Sequence, residues 1–176
     1  MPVYLAAPLV IIATVILGFL VERVAYKPLR SAPRMSVMIS AIGVSYLLQN
    51  LVFYITGGLP KVYPTLPWIS DIISVFGINT SRVTVITPIL TVVLVLCLVT
   101  LIKRTKLGMA MRAASRDFET ARLMGIQINT VISMTFIIGS FLAAIGSILF
   151  FSTFSNVTPT VGAMPGLKAF VAAVFG

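Results

Sequence analysis

Four long, predominantly apolar runs govern what this chain can become: Leu5 to Val21, Met35 to Ile55, Val83 to Ile102 and Val131 to Phe151. Each reaches the roughly 17–25 residues that an α-helix needs to cross the hydrocarbon core of a bilayer. Where no water is available, a spanning segment must satisfy its own backbone N–H and C=O groups, and a helix does so internally. A membrane β-barrel would instead show strictly alternating segments of about ten residues, shorter and less uniform than these runs. Charged residues make up only 10% of the chain, against about 25% in soluble domains. The expected fold class is therefore all-α, a polytopic transmembrane helix bundle. A fifth apolar run opens at Gly166 and reaches Gly176. Its helix would rise about 16 Å, about half of a 30 Å core. The expectation is a single, partial transmembrane domain over 1–176, cut from a longer protein.

Orientation follows from the basic residues. Of thirteen Lys and Arg, four lie between Glu22 and Arg34 and six in the 27 residues from Lys103 to Asn129. The alternate segments, Gly57 to Arg82 and Ser152 to Pro165, hold two and none. This is the positive-inside pattern, which makes both basic loops cytoplasmic and accounts for the net charge of +9 without nucleic acid. The first run has its basic cluster after it, the reverse of a signal peptide, and reads as a span. The stretch from Gly57 to Ser81, rich in Gly and Pro and carrying Tyr63 and Trp68, reads as an external loop or short interfacial helix.

The second cytoplasmic loop is amphipathic. On one helical wheel Met111, Ala114, Phe118, Ala121 and Gly125 form one face, and Arg112, Ser115, Arg116, Glu119 and Arg122 gather on another. Asp117 suits an N-cap, Arg122 can pair with Glu119 three residues back, and Gly125 suits a helix stop, so a short cytoplasmic helix is predicted from about Phe118 to Met124. Arg on one face and Phe on the other would also serve a helix lying on anionic lipid. The acids Asp117 and Glu119 favour a docking surface, because charges of both signs fix the orientation of a partner.

Within this loop Glu119, Ala121 and Gly125 have the spacing Glu-x-Ala-x3-Gly, which resembles the cytoplasmic coupling loop of ABC-importer permeases. Further blocks follow in order: Glu22 to Arg30, Ile39-Ser40-Ala41-Ile42-Gly43, Arg112-Ala113, Asp117, Leu123-Met124-Gly125-Ile126, and Gly166 to Val174. Together they resemble the branched-chain amino acid ABC permeases of the LivH type, with Thr at 120 and no Ile-x-Leu-Pro after Gly125 as departures from the general importer motif. The resemblance implies a multi-pass permease of a bacterial plasma (inner) membrane that passes branched-chain or related amino acids from an external binding protein. Implied partners are a homologous second permease, two cytoplasmic ATPases, the external substrate-binding protein and the lipid bilayer. It further implies that Arg116, Asp117, Phe118, Glu119, Ala121, Arg122 and Gly125 form the ATPase-coupling loop, and that this chain binds no cofactor, ATP being hydrolysed by the partners.

The remaining polar residues set rival readings. The second span carries Ser36, Ser40 and Gly43, then Ser45, Gln49 and Asn50. Ser40, Gly43, Gln49 and Asn50 are candidates for a translocation path, since polar groups in spans usually face protein or water. In the fourth span Gly139, Ala143 and Ser147 form a row of small residues expected to pack against a neighbouring helix. Glu22 borders the first span and no acid is expected inside one, which disfavours a proton-driven carrier. The sequence has no His, one Cys (Cys97) and no G-x4-G-K-[ST] motif, so no metal site, catalytic residue or ATPase activity is expected. The alternatives are a channel or secondary carrier for small solutes, or a non-transporting membrane anchor.

Overall fold

A computed structural model describes residues 3–62, 72–75, 78–154 and 156–175. Its long helices are α1 (Val3–Val21), α2 (Arg34–Thr56), α3 (Arg82–Arg104) and α6 (Ile128–Thr153). Between α3 and α6 lie α4 (Lys106–Arg116) and α5 (Phe118–Leu123), and α7 (Ala163–Phe175) follows. Among the described residues four helices are long and apolar enough to cross a membrane, Leu5–Tyr26, Met35–Thr56, Arg82–Arg104 and Ile128–Thr153. They coincide with the four apolar runs and make this a multi-pass membrane protein. Five threonine hydroxyls within them are satisfied by their own helix: Thr14, Thr87, Thr91, Thr100 and Thr135 each donate to the carbonyl four residues back at 2.7–2.8 Å.

The closest packing is between α1 and α6. A Cβ at Gly18 would stand 2.8 Å from Ser140 Cβ and closer still to Ser140 Oγ, so the helices touch through a bare glycine. One turn further along, Ser133 Oγ donates to Glu22 Oε2 at 3.0 Å, and beyond it the Tyr26 and Phe136 rings lie 5.0 Å apart. Ala144 is fully buried.

This seam corrects two expectations. Glu22 is not at the border of a span but inside the continuous helix from Leu5 to Tyr26, 1% exposed. The helix accommodates it by tightening nothing and widening one turn: Glu22–Tyr26 is π-helical, with Lys27 N–H bonded to the Glu22 carbonyl at 2.9 Å. The small-residue row that packs on α6 is Ser133, Ser140 and Ala144, whereas Gly139 and Ala143 are exposed and a Cβ at Gly139 would meet nothing within 4 Å. The neighbouring row is chosen because Gly18 offers its groove there.

Helix α2 packs chiefly against the π-turn and the 3-10 turn Pro28–Ser31 that precede it. It stops at Gly57, with φ +69. Beyond it the expected external loop or interfacial helix is, where described, strand: β1 (Lys61–Val62) pairs antiparallel with β4 (Asn156–Val157). In the same stretch β2 (Ile72–Val75) pairs antiparallel with β3 (Ile78–Ser81), and β3 runs directly into α3. The β-branched residues of Ile72-Ile73-Ser74-Val75 favour that outcome. Tyr63 and Trp68 lie outside the described residues.

Candidate functional site: the two short helices between α3 and α6

The loop between α3 and α6 is built from its corners. Where α3 ends, Thr105 turns the chain: its Oγ1 donates to the Leu101 carbonyl at 2.6 Å and accepts from Gly108 N–H at 3.1 Å, closing one helix and capping the next. Gly108 is buried against the backbone of Ile102; a Cβ there would lie 2.5 Å from the Ile102 carbonyl carbon. That contact folds α4 sharply back under α3. Arg112 reinforces it, Nη2 donating to the Lys103 carbonyl at 3.5 Å, at the negative end of the α3 dipole.

The continuous wheel drawn from Met111 to Gly125 does not hold. Asp117 is extended, with φ −155 and ψ 117, and separates α4 from α5. The reason is the aspartate itself: its carboxylate accepts from Glu119 N–H at 2.9 Å, from Thr120 N–H at 3.4 Å and from the Thr120 hydroxyl, replacing the helical bonds that those donors would lack. These three bonds, the Thr120 hydroxyl first, hold the Asp117 carboxyl below its ordinary value of 3.8. At the other end Gly125, with φ +82, closes α5. Ile126 N–H reaches the Ala121 carbonyl and Gly125 N–H the Arg122 carbonyl, both at 3.1 Å, which is the Schellman pattern. A six-residue helix is thus stopped at both ends by its own sequence.

Of the wheel's apolar face, Ala114 and Ala121 are the buried members, 3% and 4% exposed, and they seat α4 and α5 against the bundle. Phe118 is half exposed and lines a groove of about 390 Å³ with residues of α3, α4 and α6. Outward stand Arg116, Asp117, Glu119 and Arg122, all exposed, together with Leu123 and Met124, 87% and 80% exposed. The expected Glu119–Arg122 pair is not formed: among the described residues no ion pair joins them. Both groups are solvated, and an exposed i+3 pair gains too little to immobilise two side chains. The result is a short platform, capped at both ends, presenting two acids, two arginines and two bare apolar side chains.

The candidate path residues Ser40, Gly43, Gln49 and Asn50 lie on α2 and do not line this groove. Ser40 and Gln49 are half-buried, Gly43 and Asn50 exposed. Gln49 donates to Ser45 Oγ at 3.1 Å and Asn50 to the Tyr46 carbonyl at 2.8 Å, both within α2. A second cavity, about 230 Å³, lies instead between the outer halves of α3 and α6, bordered by Thr87, Thr91, Gly146 and Phe150. Residues that sequence reasoning passed over are Gly108 and Ser133. Gly108 sits two residues after a basic stretch, and a glycine flanked by helix formers just beyond the end of a span is the signal the sequence offers; Ser133 carries none.

A profile of the family described as branched-chain amino acid transport system / permease component matches residues 1–176. The high-affinity branched-chain amino acid transport system permease protein BraD of Pseudomonas aeruginosa is 37% identical over 169 residues, covering 94% of this chain and 55% of BraD. The permease proteins LivH of Salmonella typhimurium and of Escherichia coli are each 36% identical over 162 residues, covering 90% of this chain and 53% of their own. The chain spans about half the length of the curated relatives it matches. No solved structure matches.

Proposed function

Because the chain belongs to the family of branched-chain amino acid transport permease components, we propose that it forms part of the translocation subunit of an ATP-driven importer in a bacterial plasma (inner) membrane. Its cargo is a branched-chain or related amino acid delivered by an external binding protein. It works beside a second, homologous permease. It has no catalytic role and binds no cofactor; ATP is hydrolysed by two cytoplasmic ATPases, and α5 receives their motion. The observation that carries this reading is the capped helix Phe118–Leu123, anchored through Ala121 and offering Glu119, Arg122, Leu123 and Met124 to the cytoplasm. Such a platform transmits force because Asp117 and Gly125 stop it from lengthening or fraying, and because its partner elements, α4 and the first turns of α6, lead directly into the membrane helices.

The test is Glu119→Lys in the assembled importer. Glu119 has no partner that the fold depends on, so membrane expression should be unchanged, while ATPase co-purification and substrate-stimulated ATP hydrolysis should fall together. Undiminished association and uptake would remove Glu119 from the coupling surface.

A further inference from the structure

The groove beneath α5 has a composition that the coupling role does not use. Its floor is apolar, formed by Ile102 of α3, Met111 of α4, Phe118 of α5, and Val131 and Ile132 of α6, and Arg112 stands at its edge. Lys103 and Arg116 are the chain neighbours of the lining residues Ile102 and Ser115; they, Arg104 and Arg112 are exposed, and among the described residues none of the four is in an ion pair. Arg112 and Arg116, four residues apart on α4, repel one another. The nearest acids do not relieve them: Asp117 is committed to the α5 cap, and Glu119 points outward on the exposed side of α5. The groove lies where α3 leaves and α6 enters the cytoplasmic side, the level of phospholipid headgroups.

The geometry points to a binding site for one anionic phospholipid, its acyl chain lying along Ile102, Phe118 and Ile132 and its phosphate held by Arg112 with the neighbouring cations. An apolar protein helix in the groove would fill the floor but leave the Arg112 guanidinium facing hydrocarbon without an anion. A zwitterionic lipid brings its own cation to Arg112, within a segment that already carries three further exposed cations. An anionic lipid supplies chain and charge in the order the groove presents them, as basic pockets between membrane helices do. A lipid seated there would wedge α4 and α5 against α3 and α6, so the position of the coupling platform would depend on the composition of the inner leaflet.

The experiment is native mass spectrometry of the full chain purified in detergent and titrated with phosphatidylglycerol or with phosphatidylcholine of identical acyl chains. Wild type should retain phosphatidylglycerol preferentially. Arg112→Gln should weaken that retention about fivefold, the effect of removing one cation beside an anionic headgroup. Ile132→Trp, which fills the floor without altering charge, should reduce adducts of both lipids. Lys61→Gln, on the opposite side of the membrane, should change nothing. Gel filtration of each variant reports whether it is folded. Equal retention of the two lipids, or phosphatidylglycerol retention unaffected by Arg112→Gln, would overturn the assignment. So would a photocrosslinker at Ile132 that captures a second copy of the chain instead of lipid.

Discussion

Replacing Gly18 with alanine tests the α1–α6 seam with a single methyl group. The added carbon would stand 2.8 Å from Ser140 Cβ, and rotating the serine hydroxyl away relieves only its Oγ, not this second clash. Ordinary contact begins near 3.4 Å. The helices must therefore part by about 0.6 Å, a gap that forfeits a quarter to a half of each neighbouring dispersion contact. The same displacement stretches the Ser133–Glu22 bond from 3.0 Å to about 3.6 Å, beyond hydrogen-bonding range. Overpacking of this kind costs about 1–3 kcal/mol. The compensating change is Ser140→Gly, which removes both offending atoms and leaves the Phe136 carbonyl oxygen, at 4.0 Å, as the nearest neighbour. Reversible unfolding in mixed micelles, followed by a donor–acceptor pair on α1 and α6, should show Gly18→Ala destabilised by that amount in the wild-type background and nearly neutral beside Ser140→Gly. A coupling of about 1–3 kcal/mol between the two sites is the expected signature. Strict additivity of the two substitutions would refute the close approach of these helices at residue 18.

Four further outcomes follow, from the ends of α5, the corner between α3 and α4, and the orientation of the loop. Because Asp117 is held below 3.8, its cap is complete above the ordinary carboxylate range and is lost only as pH falls through the lowered value; amide exchange at Glu119 and Thr120 should show cap-dependent protection that is constant across neutral pH, disappears in acid below 3.8, and is absent at every pH in Asp117→Ala. Gly125→Val places a β-branched residue at φ +82 and should cost about 1–2 kcal/mol, read as faster exchange at Ile126 with membrane insertion retained. Gly108→Ala should lower the yield of folded protein, because the clash is with Ile102 backbone that no rotamer can move, whereas Gly43→Ala, which meets nothing within 4 Å, should stay within about 0.5 kcal/mol of wild type. In a Cys97→Ser background, Cys at Ser115 should be labelled only from the cytoplasm and Cys at Leu59 only from outside.

The spans were legible because hydrophobicity is a sum over twenty residues and tolerates local error; helix ends moved by only a few residues. Asp117 and Gly125 were legible because caps are local: an aspartate bonding two and three residues ahead, and a glycine in a left-handed turn, need no distant partner. What failed was set across the fold. Glu22 reads as the first residue of a basic loop until Ser133, 111 residues away, places it inside the seam. Gly139 and Ser140 begin two small-residue rows about 100° apart on one helix, and only Gly18 on another element decides between them. The two-residue strands β1 and β4 find each other across most of the chain, with no local signal on either side. A translocation path is likewise defined by what stands opposite: Ser40, Gly43, Gln49 and Asn50 can be named from the sequence, but α2 packs mainly against the turns beside it, which do not define a path.

The wide turn at Glu22–Tyr26 amounts to one residue more than an α-helix of the same rise would contain. Substitutions there change a side chain; a one-residue deletion changes only the width of the turn. Taking one residue out of Glu22–Tyr26 would let it relax to α pitch with the rise, and so the phase of Leu5 to Val21, nearly unchanged, leaving Gly18 on Ser140. In an alignment of permeases this turn should therefore be a place where chains differ by one residue in length while still keeping a small residue at the position of Gly18.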